Sequence, residues 1–338
     1  MTAPNTHQHR HEDLDHTSQP APPGGIHIIC ERDVGLFSLV QQVIANIPWA
    51  LGDGRVPIAY FQGRTCYWTP KGYRGSDTVW EYYFEPIVPD YPAAYIPPRV
   101  RTALSIDPPS AFEPGRFVED NVFASAHFGD HEALIGKALK IPYLLEDPGE
   151  KLRATTSEVI RKFVRPRQYI RDKVDRFYRE KLSGRDTIGV HLRGTDAVSI
   201  EEKRPHRKNS LQYDRYRDEV RSLLMEVPDA CVFVATDAEE SLAFMRREFG
   251  DRVVGYESLR HTEGPAAGAG PTGWVMPGYI ADNRDRAARN GEEAVVEYLL
   301  LTKCSYLVHN GSSLARTVLL HEPAIPHMNT HTGFHTFG

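Results

Sequence analysis

Cysteine is scarce in this chain: four in 338 residues, at positions 30, 66, 231 and 304, with no paired spacing. That pattern excludes a disulfide framework and a cysteine-based zinc site. Cys30, Cys231 and Cys304 sit in apolar stretches and read as small core residues of a reducing compartment. Long hydrophobic runs are also missing. No stretch approaches the roughly 18 apolar residues of a transmembrane helix, and the first residues lack the apolar core of a signal peptide. A cytoplasmic protein without a transmembrane segment is the expectation. No long Lys/Arg block exists and the formal net charge is -5, so nucleic acid is not expected as a partner. Three catalytic signatures are absent as well. No G-x-G-x-x-G follows a strand pattern, which argues against a dinucleotide oxidoreductase. No Walker lysine marks a nucleotide-hydrolysing loop, and no G-x-S-x-G marks a serine hydrolase.

What is present is an α/β pattern behind a polar start. Residues 1–24 turn Pro/Gly-rich toward their end and read as a disordered tail. Within it HQHRH (7–11) reads as a solvated, His-rich run rather than a metal site. IHIIC (26–30) predicts a strand. Leu36, Leu39, Val40, Val43, Ile44 and Ile47 then recur at helical spacing, with Pro48 ending the run. VPIAYF (56–61) predicts another strand, so the chain opens β-α-β and a parallel sheet is expected.

Residues 62–125 are less regular. The stretch SDTVWEYYFEPIVPDYPAAYIPP (76–98) suits neither a regular helix nor a central strand. Exposed rings there would fit sugar faces, but Trp80, Tyr82, Tyr83 and Phe84 are expected in the core. Thr155 and Glu158 have capping-box spacing and predict a helix start. Pro166 breaks that helix. Ile170, Val174, Phe177, Tyr178 and Leu182 mark one face of the next, and LSGRD (182–186) reads as a domain boundary.

The second half is more regular. Strands are expected at 187–193, 230–237, 252–257 and 306–310, and helices at 213–225, 239–249, 291–303 and 313–320. Such alternation predicts a doubly wound sheet, whose ligands bind beyond the strands' carboxyl ends near a topological switch point. The expected division is a tail (1–24), an N-terminal Rossmann-like domain (25–184), a C-terminal one (185–323) and a C-terminal tail (324–338).

Three strands end in polar residues. In IGVHLRGTD (188–196), His191 and Arg193 stand at a carboxyl end, and Gly194 permits a bend and close backbone approach. Arginine is the preferred cation for pyrophosphate because its planar fork donates two hydrogen bonds. Asp196 either orients Arg193 or caps the next helix. In VFVATDAEES (232–241), Asp237 with Glu240 reads as a helix N-cap beside the cleft. In YLVHNGSSLAR (306–316), Gly311, Ser312 and Ser313 open a helix. Free backbone N–H groups, hydroxyls and the helix dipole make that turn an anion site, where Ser312 also suits the N-cap. One arginine, one helix N-terminus and two serines suit a nucleoside diphosphate whose charge is met by protein rather than by metal.

IGVHLRGTD, VFVATDA and CSYLVHNGSSLAR resemble, in that order, the three motifs of the fucosyltransferase superfamily. That group holds the nodulation-type and core α1,6-fucosyltransferases and the protein O-fucosyltransferases. The resemblance covers residues 187–321. It implies an α/β fold of GT-B type, two Rossmann-like domains with parallel sheets facing a cleft. It implies GDP-fucose as donor, a glycan, peptide or small-molecule hydroxyl as acceptor, inversion at the anomeric carbon, and no metal or other cofactor. Arg193 then neutralises the β-phosphate, Ser313 meets the phosphate and His191 lies beside the guanine, and Gly311, Ser312 and Arg316 are expected in the same donor-binding set. Glu297 falls where an acid reads the guanine edge, whose N1–H and N2–H₂ donate while a carboxylate accepts. Glu201 in SIEEK (199–203) falls on the general base, with Glu202 beside it.

Two positions depart from the α1,6 pattern. Gly194 replaces a second arginine and Ala197 a lysine, so α1,6 linkage is not implied. Arg204, Arg207 or Arg316 could restore the missing charge. Two alternatives stay open: another nucleotide sugar on the same fold, or a binding protein for carbohydrate or nucleotide without turnover. The Gly-rich stretch 260–291 reads equally as a lid over the site or as a surface excursion.

Overall fold

The computed structural model describes residues 22, 24–128, 136–141, 147–193, 213–260, 267–269, 275–277 and 283–336. Strand β1 (Ile26–Cys30) buries all 5 of its residues, as a strand covered on both faces must. It lies between β2 (Val56–Tyr60) and β4 (Val122–Ser125), both parallel to it, and β3 (Arg116–Glu119) closes the edge antiparallel to β4. Helix α1 (Leu36–Gly52) crosses this sheet. Pro48 does not end it but lies inside it. An interior proline forfeits a backbone bond and costs about 3 kcal/mol. Here the last turn is held by burial of Trp49 and Ala50, and the amides of Asp53 and Arg55 close it on the carbonyls of Trp49 and Ala50.

The aromatic segment is more regular than expected. It forms a one-turn helix α2 (Val79–Tyr83), and α3 (Pro98–Ile106) begins at its end. Trp80, Tyr82, Tyr83 and Phe84 are all at most 2% exposed, which settles them in the core. Helix α4 (Glu150–Phe163) starts ahead of the Thr155 pattern, after Gly149, and Thr155 Oγ1 bonds to the Lys151 carbonyl inside it. A tertiary contact overrides the local signal. Arg153, in the first turn, is buried and donates to the carbonyls of Leu319 and Ile325. α4, which a boundary at 184 assigns to the N-terminal domain, thus packs on the second half. Pro166 does break the helical run, and α5 (Gln168–Phe177) follows and ends in a wider π-turn through Leu182.

The second sheet contains β5 (Thr187–Leu192), β6 (Cys231–Thr236), β7 (Val253–Gly255), β10 (Tyr306–His309), β11 (His327–Asn329) and β12 (Phe334–Thr336). A short antiparallel ribbon, β8 (Ala267–Ala269) with β9 (Val275–Pro277), stands apart in the Gly-rich stretch. The sheet order is β12-β11-β10-β5-β6-β7, parallel except for β12. Residues 324–338, expected as a tail, therefore supply two strands. Helices α6 (Tyr213–Glu226), α7 (Glu239–Phe249), α8 (Arg284–Leu301) and α9 (Ser313–His321) connect the strands. α8 starts seven residues before the expected 291, at a cap where the Asn283 side chain accepts from the Arg286 amide.

Read in chain order, the sheet runs outward from β5 in one direction and from β10 in the other. The reversal between β5 and β10 is the switch point at which open α/β sheets bind ligands. The halves share one core: Ile29, Val43 and Phe61 belong to the same buried cluster as Phe233, Leu301 and Leu307. At one crossing, α8 needs a glycine. A Cβ on Gly291 would come within 2.3 Å of the Tyr83 hydroxyl, which itself donates to the Ala288 carbonyl at 2.8 Å.

Candidate functional site

A cleft of about 820 Å³, counting the part open to solvent, lies beyond the carboxyl ends of β5 and β10. His191, Arg193, Asp237, Glu297, Ser312 and Ser313 line it from the second half, and Gly35 to Ser38 and Tyr67 from the first. Six expected site residues thus meet in one place. Gly311 and Arg316 stand directly behind it, Arg316 donating to Ser313 Oγ at 3.1 Å. Gly194, Asp196 and Glu201 lie outside the described residues, as do Ala197, Glu202, Arg204, Arg207 and HQHRH.

The backbone of the third motif explains its use. Gly311 has φ +72°, a conformation that glycine enters without steric cost. Its amide donates to His309 Nδ1 at 2.9 Å. Ser312 is the N-cap of α9: its Oγ accepts from the Ala315 amide at 3.2 Å, and its carbonyl from the Arg316 amide. The amides of Ser313 and Leu314 are those that a helix's own bonds never satisfy. They stand at the positive end of the dipole, on the cleft wall. Among the described lining residues, Arg193 supplies the cationic side chain. His191 is buried and hydrogen-bonded to Ser312 Oγ at 3.2 Å. Burial, with the Arg193 charge behind it, pushes its pKa down to about 3, so the imidazole is neutral.

Opposite stands Glu297, on the buried face of α8. Burial pushes its carboxyl up to about 8. Arg260, 3.8 Å from Oε1, and the Ser258 hydroxyl, donating at 2.9 Å, work against that shift. The charges of Glu293 and Asp237 add to it. N–H donors presented by a ligand would favour loss of that proton and turn the carboxyl into a strong acceptor.

Asp237 lines the cleft but is not a helix cap. α7 is preceded by Ala238 with no side-chain cap, and Thr236 Oγ1 accepts the Ala238 amide instead.

Sequence reasoning missed the contribution of the first half. Ser38 Oγ lies 3.0 Å from Ser313 Oγ, and Gln41 Nε2 donates to the Ser313 carbonyl at 2.8 Å. The available signal was a polar set, Ser38, Gln41, Gln42 and Asn46, within an otherwise apolar helix, and the last three are buried. It also missed Glu31. This acid follows β1 and opens a second cavity with Tyr60, Gln62, Arg64 and Trp68. The segments 31–38 and 62–68 border both cavities. Burial raises the Glu31 pKa, while backbone N–H groups of the 62–64 turn hold its carboxylate.

Solved structures share this architecture. NodZ α1,6-fucosyltransferase soaked with GDP-fucose matches 92% of this chain and 98% of its own, at TM-score 0.52 and 17% identity. Fucosyltransferase NodZ from Bradyrhizobium matches 92% and 98%, at 0.51 and 16%. POFUT1 in complex with GDP matches 90% and 98%, at 0.53 and 12%. No protein-family model and no curated protein matches the chain. What is shared at these identities is the fold. It is GT-B: two sheets of Rossmann type on either side of a cleft.

Proposed function

We propose that this protein is a glycosyltransferase of the fucosyltransferase superfamily. In this reading it moves fucose from GDP-fucose to a hydroxyl of a glycan, peptide or small molecule, with inversion and without a metal. One observation carries the reading. A cationic side chain, an open helix N-terminus and a buried carboxyl converge at the switch point, in a fold whose neighbours are described with GDP and GDP-fucose.

The roles follow from the chemistry. Arg193 and the amides of Ser313 and Leu314 receive the diphosphate, and their field grows in value as charge develops on the leaving group. Glu297 accepts from guanine N1–H and N2–H₂ as a carboxylate, with neutral His191 beside it. The bond from the anomeric carbon to the β-phosphate oxygen breaks, and the acceptor oxygen bonds to that carbon from the opposite face. A base removes the acceptor proton. Glu201 is the base the resemblance implies. Glu31 is a second candidate, supported by its place in the wall of the second cavity and by its raised pKa.

The domain assignment goes with this reading: 25–184 serves the acceptor side and 185–323 the donor. A cytoplasmic site of action is supported by four free thiols. Among the described residues no helix is long and apolar enough to cross a membrane. Gly194, in place of a second arginine, favours a second reading, a different nucleotide sugar on the same residues.

The test is release of GDP and transfer of labelled fucose over an acceptor array, with other nucleotide sugars in parallel. Fucose transfer that Glu31→Gln or Glu201→Gln abolishes supports the reading and assigns the base. Transfer from a UDP-sugar alone refutes it.

A further inference from the structure

Behind the turn that opens α9 lie three side chains with no task in the transfer reaction. Asp147, just ahead of α4, sits between the buried imidazoles of His309 in β10 and His327 in β11. His309 pairs in register with Asn329, and Leu307 with His327. Both rings therefore stand on one face of the sheet, a rung apart, with centroids separated by 5.5 Å. His309 Nε2 is 3.7 Å from Asp147 Oδ1, and His327 Nε2 is 3.5 Å from Oδ2. Asn329 Nδ2 donates to Oδ1 at 3.0 Å.

The outer edges of the rings fix their tautomers. The Gly311 amide donates to His309 Nδ1, so that nitrogen holds a lone pair and the proton sits on Nε2, facing Asp147. His327 Nδ1 lies 3.3 Å from the Ile325 carbonyl, which only accepts, so His327 carries a proton there. Its Nε2 then faces Asp147 Oδ2 at 3.5 Å. The charges around the trio agree. Burial, with His327, Arg316 and Arg153 adding to it, outweighs the Asp147 charge, pushes the His309 pKa down to about 3 and keeps that ring neutral. Burial would raise the Asp147 carboxyl, but the neighbouring His327, His309 and Asn329 side chains hold it below the usual carboxylate range. The three ligand atoms lie within 4.8 Å of one another, compact enough for a cation. His309 has no Nε2 lone pair to give one.

We propose that Asp147, His309 and His327 form a proton-holding relay that fixes the Gly311 peptide, and through it the N-terminus of α9, in its anion-receiving conformation. His309 is a positioning residue, acting through Gly311 without touching the ligand. By taking the Gly311 amide it sets the turn from which the amides of Ser313 and Leu314 are left to the diphosphate. The inference rests on the anion site assigned above.

Two measurements on the full chain test it. Nitrogen-15 spectra of selectively labelled histidines read the tautomers directly. The relay requires an unprotonated Nδ1 and a protonated Nε2 in His309, unchanged by added zinc. A protonated Nδ1, or loss of the Nε2 proton to zinc, overturns it. Calorimetry with GDP reads the consequence. His309→Ala is expected to weaken GDP binding about tenfold, the cost of one lost positioning bond. His309→Asn, whose Oδ1 can still accept from Gly311, is expected to restore most of it. Adding Asp147→Asn to His309→Asn is expected to cost nothing more, although Asp147→Asn alone weakens binding. An alanine variant that binds like wild type, or an asparagine variant as weak as alanine, contradicts the relay. If the alanine variant does not fold, Asp147→Asn and His309→Asn carry the comparison. Failure of the wild-type protein to bind GDP sinks the donor reading alone. The tautomer, and the shift of the Gly311 amide resonance on Asp147→Asn, then decide the relay.

Discussion

Ser38 in α1 and Ser313 at the start of α9 share a hydrogen bond, their hydroxyl oxygens 3.0 Å apart. They are 275 residues apart in the chain, and Gln41 adds a bond to the Ser313 carbonyl. The first turn of α9, which the donor reading gives to the diphosphate, is thus held by both halves of the molecule. Loading the site therefore bears on the packing of the two halves as well as on the nucleotide.

Arg193 is the charge on which the proposed leaving-group chemistry depends. Arg193→Ala is expected to lower kcat/KM by about 10²- to 10³-fold, as for loss of one preorganised charge donor. The side chain is only part-buried, so the melting temperature should stay close to that of wild type. A near-normal rate in the transfer assay would remove Arg193 from the mechanism.

In the donor reading, Glu297 is expected to make GDP binding pH-dependent with a definite sign. In the free protein its carboxyl is raised to about 8 and is protonated at neutral pH. Guanine N–H donors require the carboxylate, so binding near pH 7 should release about one proton. Affinity is expected to rise from pH 6 to about 8 and then level. The same shift acts on folding in the opposite direction. The raised carboxyl contributes stability below its unfolded pKa and loses it as pH rises through about 8. Glu297→Gln should flatten both profiles. Calorimetry in buffers of different ionisation enthalpy reads the proton, and none released would refute the guanine contact.

Gly291 is a packing requirement without catalytic content. Gly291→Ala should destabilise the fold by about 1–3 kcal/mol, since the new methyl meets the Tyr83 ring and hydroxyl across the α2–α8 crossing. Combining it with Tyr83→Phe should cost less than the sum of the two, because removing the hydroxyl opens the contact. Additive losses in denaturant unfolding would show that the clash is relieved elsewhere.

The parts of this structure that could be read from the sequence are those where local pattern and tertiary burial agree. β1, β5, β6 and β10 are short apolar runs ending in polar residues, and the sheet buries them on both faces, so their carboxyl ends and the cleft followed. Arg193, Ser312 and Ser313 were legible for the same reason. α8 was read too short because Arg284 to Asn290 has no apolar stripe, only a cap. α4 was started late because Arg153 reads as a surface charge until α9 buries it. Asp237 does not cap α7 because the helix starts one residue later, with Ala238 at the N-cap position and its amide held by Thr236 Oγ1. The raised carboxyl of Glu297 comes from its burial, which Ser258 and Arg260 only partly offset, and the proposed role of Glu31 rests on a cavity between distant segments. Neither is encoded in residue spacing.

The central claim is that the cleft holds a guanosine diphosphate by protein charge. Calorimetric titration with GDP, UDP, dTDP and CMP, each with and without EDTA, tests it most directly. GDP is expected to bind tightest, with the same affinity in EDTA. Preference for UDP, or binding that vanishes with the metal, would contradict it.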